Sequence, residues 1–192
     1  DIHVPRLPHA RFQSKSTMGP RGDAIAQMDW MVGEIVAGLE DLSIADNTVV
    51  IVTSDNGPVL DDGYSDQSVE LIGEHKPTGI FRGGKYSSYE AGTRVPTILH
   101  WPGSIDASSS DALVSQIDLY ASLANFIDED LSEHEALDSR NYIDAWLGQS
   151  VQGREYLLEE SVGSISLRKG DWKAYLNNAV EDFRISSCCV ED

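Results

Sequence analysis

Residues 48–58 read T-V-V-I-V-T-S-D-N-G-P. Val49, Val50, Ile51 and Val52 form an unbroken apolar, β-branched run. A strand with one wet face would alternate. A continuous run is what a strand covered on both faces needs, as in a parallel sheet under helices. Asp55-Asn56-Gly57-Pro58 follows at once, so the strand stops at a turn. Asp55 and Asn56 therefore stand just past the carboxyl end of a central strand, the edge on which open α/β sheets place their ligands. Carboxylate and amide oxygens side by side on a stiff strand end suit a hard cation such as calcium or magnesium. The same four residues are also the ordinary composition of an Asx turn.

The 192 residues have the length of one domain or of part of a larger one. Asp1-Ile2-His3-Val4-Pro5 reads like the interior of a protein, and no signal peptide is visible. No segment approaches the apolar run that crosses a membrane. The formal net charge of −18 argues against nucleic acid or an anionic membrane as a general partner. That charge is unevenly spread. Residues 104–150 hold ten Asp or Glu against one Arg, whereas residues 75–94 hold four Lys or Arg plus one His against one Glu. A basic stretch next to a candidate cation site, in an acidic chain, points to an anionic ligand there. Cys188 and Cys189 are adjacent; neighbouring cysteines rarely bridge each other, so the pair reads as two incidental thiols.

His3-Val4-Pro5-Arg6-Leu7-Pro8-His9 has two prolines and no apolar period, and reads as a loop or extended segment. Taken alone, a histidine such as His3 is ordinarily just solvated there. Pro20 suits a first helical turn. Ile25, Met28, Val32, Ile35, Val36, Leu39 and Leu42 then recur at helical spacing, which predicts a helix over 20–42 with its apolar stripe on the sheet. Asp29 is expected to take a polar role within that helix–sheet interface. Residues 59–84 are irregular and glycine-rich. Loops of that length in compact domains are functional or disordered, and this one is expected to lie over a cleft. Arg82-Gly83-Gly84-Lys85 sets two cations around two glycines, which let amides and a flexible Lys approach an anion. It lacks the P-loop spacing, and a basic surface turn is the plain alternative.

Order is expected to resume in a short helix or turn over 86–94 and a strand over 96–101. A helix over 115–127 follows, with Asp118 as a cap or buried hydrogen-bond partner, then an acidic connector and a short helix over 142–147. From Arg154 the pattern changes to short strands at 155–160, 165–169 and 172–176, with Gly170-Asp171 as a tight hairpin. No hydrophobic strand is expected after Leu176, so this small sheet reads as started and not continued.

Taken together, the pieces resemble the C-terminal half of an arylsulfatase-like, formylglycine-dependent sulfatase of the alkaline-phosphatase superfamily, over residues 1 to about 173. I-V-T-S-D-N-G-P, F-R-G-G-K-Y-S-S-Y-E-A-G-T-R-V-P and L-R-K-G-D-W-K carry the resemblance, in that order, with the helix before and W-P-G after. It implies an α/β fold: a partial alkaline-phosphatase-like sandwich over 1–150, with a mixed, mostly parallel sheet between helices. Residues 151–192 would begin a C-terminal antiparallel subdomain. By the same resemblance, Asp55 and Asn56 match a pair of calcium ligands, and Lys85 matches the Lys that contacts the sulfate and the leaving oxygen. His3 matches the His that binds the sulfate ester and protonates the leaving group. Glu90 and Arg94 match a structural element, expected as an internal ion pair. Asp61, Asp62, His75, Lys76 and Arg82 fall where the family varies, and are expected to contact substrate rather than sulfate. The implied substrate is a sulfated carbohydrate or aryl sulfate, and the implied location periplasmic or secreted.

The departures are specific. The family's nucleophile is a formylglycine made from Cys or Ser in C/S-x-P-x-R, and none of the seven prolines here sits in that motif. The family's first Asp pair is also missing, and the text after Lys173 no longer resembles it. A sulfate ester is an unreactive anion that needs a cation, a strong nucleophile and a proton for the departing alkoxide. This chain supplies half of the cation site, a Lys and a His, so alone it is expected to be inactive. Two other readings remain: a phosphomonoester or phosphonate hydrolase of the same superfamily, and a non-catalytic module that binds sulfated glycans.

Overall fold

Helix α1 (Gly19–Asp41) leads into strand β1 (Val50–Thr53), and a long loop then reaches the short helix α2 (Glu90–Thr93) and strand β2 (Thr97–His100). Helices α3 (Asp118–Phe126) and α4 (Ile143–Trp146) follow, then strands β3 (Leu157–Ser161), β4 (Ser164–Lys169), β5 (Trp172–Asn177) and β6 (Asp182–Ser187). This is a computed structural model that describes residues 2–177 and 182–187; Cys188 and Cys189 lie outside them.

β1 and β2 are neighbours, as expected, and they run antiparallel with Ile51 opposite Leu99. They are the only strands of that sheet among the described residues, so the parallel neighbours of a mostly parallel sheet are not seen. One face of the pair is covered. Val49, Ile51, Leu99 and Trp101 meet Leu119, Leu123 and Phe126 on the α3 side and Trp146 of α4. Trp101 sits edge-on to Phe126, and its indole N–H donates to the Asp46 carbonyl at 2.7 Å. The expectation that the Val49–Val52 run is buried on both faces is not met: Val50, Ile51 and Val52 are half-buried, and Ile98 is exposed. The physical reason is coverage. Each strand has one ladder partner, and α1 packs chiefly against short turns at 10–12 and 45–47 rather than on the sheet.

α1 itself forms where the pattern places it, with Pro20 in its first turn. It stops in a Schellman arrangement. Ser43 takes φ +57°, its N–H donates to Glu40 O, and Ile44 N–H donates to Leu39 O. Its apolar stripe is half-buried rather than buried, with Ile35 and Leu42 exposed, and Asp29 is exposed rather than in an interface.

The last four strands make an antiparallel meander in the order β3-β4-β5-β6. Gly170, at φ +54°, opens the two-residue β4–β5 turn, where that backbone favours glycine. β6 pairs with β5 from Asn177↔Asp182 to Trp172↔Ser187, so the sheet does continue past Leu176. The sheet is clamped to the segment 86–93. Ser161 Oγ donates to Tyr86 O, Ser166 Oγ donates to Ser88 O, and the Ser88 and Ser164 hydroxyls lie 2.8 Å apart. Beneath them, fully buried Lys173 Nζ binds Glu90 at 3.1 Å, Glu159 at 2.6 Å and the Thr93 hydroxyl at 2.9 Å.

Candidate functional site

The apolar run of β1 ends in Ser54, and the chain turns through Asp55, Asn56 and Gly57. Two backbone bonds bring the 83–94 segment against this strand end. Gly57 N–H donates to Gly92 O at 2.9 Å, and Lys85 N–H donates to Pro58 O at 2.9 Å. The approach needs glycine on both sides. A Cβ on Gly57 would lie 1.6 Å from Ala91 O, and one on Gly92 would lie 2.1 Å from Ser87 O. Glycine here is a matter of space, since neither residue has a positive φ.

This apposition puts Asp55, Asn56 and Lys85 on the wall of one cleft of about 1350 Å³, together with Tyr86, Arg94 and Gln116. Gln116 braces the strand end, donating to Ser54 O and to the Thr53 hydroxyl. Asn56 Nδ2 donates to Gly57 O, which leaves Oδ1 as its available acceptor. Asp55 Oδ1 accepts the Asn56 N–H at 3.0 Å, and the side chain is exposed. Two hard oxygens at one strand end fit calcium or magnesium by donor type. They are two donors where calcium takes six to eight. Among the described residues no three His, Cys, Asp or Glu side chains come together as a metal site.

His3 lies apart from that wall. It faces a smaller hollow lined by Val4, Pro5, Leu7, Pro8, Ala24 and Gln27. Its Nδ1 is 2.9 Å from Val4 O, so Nδ1 carries the hydrogen and donates. What ties the His3 segment to the strand end is Arg6. Its buried guanidinium donates to Asp62 at 2.7 Å, Asp66 at 2.5 Å, Ser68 Oγ at 2.7 Å and Val59 O at 3.2 Å. Asp62, expected at the substrate, is thus half of a buried ion pair. Burial holds the nearby Arg21 guanidinium below its ordinary range, the positive charge of Arg6 adds to this, and Asp66 opposes it.

His75, Lys76 and Arg82 do not line the cleft. All three are exposed, with His75 and Lys76 on the long loop and Arg82 stacked over the Tyr89 ring at 4.2 Å. Asp61 is exposed nearby. Glu90 and Arg94 do meet, at 3.7 Å, but Lys173 and Arg168 bind Glu90 more closely, at 3.1 and 3.0 Å. Asp118 is fully buried, as expected of a hydrogen-bond partner. It accepts Ser115 N–H and Arg140 N–H, and two bonds from Arg154, whose guanidinium those bonds hold above its ordinary value. Sequence reasoning missed Arg6 and Tyr86. Arg6 gave no signal, because its acidic partners lie 56 and 60 residues away.

A strand-end carboxylate and amide, Asp55 and Asn56, and Lys85 on a glycine-tight turn line one cleft. Comparison with known proteins gives the family. The Sulfatase family model matches residues 4–128, and the chain belongs to the sulfatase family. An N-acetylgalactosamine-6-O-sulfatase of Bacteroides thetaiotaomicron is 49% identical over 174 residues, which is 90% of this chain and 34% of that protein. A solved sulfatase from work on the metabolism of multiple glycosaminoglycans by the same organism superposes with TM-score 0.92 at 43% identity. That match covers 97% of this chain and 42% of that one. A phosphonate monoester hydrolase from Silicibacter pomeroyi superposes with TM-score 0.63 at 17% identity over 88% of this chain and 34% of that one, a likeness of fold. The fold is alkaline-phosphatase-like, and family membership implies a metal cofactor. The chain spans between about a quarter and a third of the length of the curated relatives it matches. Among the described residues no helix is long and apolar enough to cross a membrane.

Proposed function

We propose that this chain is part of a sulfatase that hydrolyses sulfate esters of a carbohydrate, with Asp55 and Asn56 as calcium ligands and Lys85 at the sulfate. The observation that carries the reading is the shared cleft wall of Asp55, Asn56 and Lys85 in a member of the sulfatase family. Sequence likeness to an N-acetylgalactosamine-6-O-sulfatase favours a sulfated amino sugar over an aryl sulfate. In this reading residues 1–150 belong to the α/β core and 151–192 to a C-terminal antiparallel subdomain, and the parent protein is periplasmic or secreted.

Calcium, when bound, supplies positive charge that neutralises the sulfate oxygens. The Asp55 carboxylate and the Asn56 amide oxygen would be two of the groups that hold it. Lys85 places an ammonium against the sulfate and the oxygen that leaves, where negative charge grows in the transition state. His3 is assigned the transfer of a proton to the departing alkoxide, which requires the imidazolium form: with Nδ1–H donated to Val4 O, the proton given up is the one on Nε2 of the charged ring. His75, Lys76 and Arg82 are exposed and lie outside the cleft lining, so they are assigned to the part of the substrate that extends beyond the cleft. The nucleophile is a formylglycine on a part of the parent protein outside these 192 residues. The phosphonate-hydrolase alternative has only a likeness of fold behind it.

The test is sulfate release from N-acetylgalactosamine 6-sulfate by the full-length parent protein. Release that stops on calcium chelation and returns on calcium addition is expected. Hydrolysis of a phosphonate monoester in preference to the sulfated sugar would overturn the reading.

A further inference from the structure

Tyr86 follows Lys85 directly and has an unusual backbone. Its φ is +74°, a region that a bulky side chain enters only where the surroundings force it. The surroundings are in place on both sides. Lys85 N–H is held by Pro58 O, Ser87 N–H by Gly84 O, and the Tyr86 carbonyl accepts from Ser161 Oγ at 2.9 Å. Ser87 Oγ also bonds both Gly84 N–H and Gly84 O. None of these bonds involves the phenol ring. Tyr86 is 61% exposed and is one of the residues that line the same cleft as Asp55, Asn56 and Lys85, with the Lys85 ammonium 5.3 Å from its ring centroid. A strained backbone that buries nothing is not explained by packing.

We propose that Tyr86 is a specificity-determining residue: the strained turn presents its ring as a platform on which the sugar ring of the sulfated substrate stacks beside Lys85. The inference rests on the sulfatase reading and adds a residue to it. A sugar offers a face of C–H bonds, and an aromatic ring next to the sulfate-binding ammonium is placed to receive the ring that carries the sulfate. Inorganic sulfate has no such face and does not need Tyr86. The ring also keeps the Lys85 ammonium on the cleft side by cation–π attraction, a smaller effect at an exposed position.

The experiment uses the full-length parent protein with Tyr86→Asn and Tyr86→Phe. Asn tolerates the positive φ and removes the ring; Phe keeps the ring. The probes are N-acetylgalactosamine 6-sulfate, as substrate, and inorganic sulfate, as competitive inhibitor. Y86N is expected to raise KM for the sulfated sugar about tenfold, the loss of one well-made aromatic contact. Its inhibition by inorganic sulfate and its thermal midpoint stay within error of wild type, and Y86F behaves as wild type on all three. An unchanged KM in Y86N overturns the proposal. So does a parallel loss of inorganic sulfate affinity, which would make Tyr86 a support for Lys85 alone, and so does a fall in thermal midpoint that accounts for the loss. If wild type itself releases no sulfate from the sugar, the sulfatase reading fails first. If wild type turns over and Y86N is indifferent, only the Tyr86 assignment fails.

Discussion

Two ion-paired carboxylates, buried Asp118 and half-buried Asp66, show what single residues contribute here. Asp118, itself fully buried, accepts from the partly buried Arg154 and from two backbone N–H groups. Removing one charge of a buried pair leaves the other uncompensated, so Asp118→Ala is expected to destabilise the folded protein by about 3 kcal/mol. Chemical denaturation of the parent protein measures it, and a change within error of zero would contradict the assignment. Asp66 adds a pH dependence. Burial pushes its carboxyl up, but the bonds from Ser68 and Arg6 outweigh that and hold it below its ordinary value. A carboxyl with a lower pKa folded than unfolded adds stability that is complete above the unfolded value and lost as pH falls through the folded one. The protein should therefore weaken on acidification below the ordinary carboxylate range, about pH 4. Asp66→Asn should flatten that part of the curve. Equal acid slopes in the two proteins would remove Asp66 from the explanation.

At the level of elements, the strand end and the 83–94 segment are held together by glycines that leave no room for a methyl group. Gly92→Ala forces a Cβ onto Ser87 O and Gly84 O, both backbone atoms. It should lower the thermal midpoint and abolish sulfate release together. Gly33→Ala in α1, where nothing lies within 4 Å, should be neutral or stabilising by up to about 1 kcal/mol. If the two substitutions behaved alike, the tight approach would not be what builds the site. Most elements were legible from the sequence because their signals are local: the β-branched run of β1, Pro20 and helical spacing for α1, Gly170-Asp171 for a hairpin. β6 was missed because D-F-R-I-S-S carries only two apolar residues in alternation. The packing of α1 was missed for a different reason. Spacing reveals that a stripe exists and says nothing about which surface covers it. Within the candidate site, the placing of Asp55, Asn56 and Lys85 along one cleft follows from short motifs, whereas Arg6 acts only through partners distant in sequence, and the strain at Tyr86 is a backbone property that its identity conceals.

The molecule as a whole exposes more apolar surface than its elements would leave open if fully partnered. Ile35, Leu42, Ile98, Ile127 and Leu176 are all exposed. β1 and β2 each have one ladder partner among the described residues, and an open sheet edge is a template for association. The isolated 192-residue chain is therefore expected to self-associate or to melt broadly. A sharp, reversible, monomeric two-state transition, followed by sedimentation and circular dichroism, would contradict this. Calcium binding scales the same way. Two oxygen donors leave the ion far short of its usual shell, so the isolated chain should bind calcium weakly while the parent protein binds it well.

The central claim is that the cleft wall of Asp55, Asn56 and Lys85 is where a sulfate ester is held and cleaved. Lys85 is half-buried, and its backbone N–H, not its ammonium, makes the structural bond to Pro58 O. The most direct measurement is kcat for sulfate release from N-acetylgalactosamine 6-sulfate by the parent protein carrying Lys85→Ala, with its thermal midpoint and calcium affinity measured beside it. A fall in kcat of about a hundredfold or more, with the midpoint and the calcium affinity unchanged, is the predicted result. Near-normal turnover in a well-folded Lys85→Ala protein would contradict it.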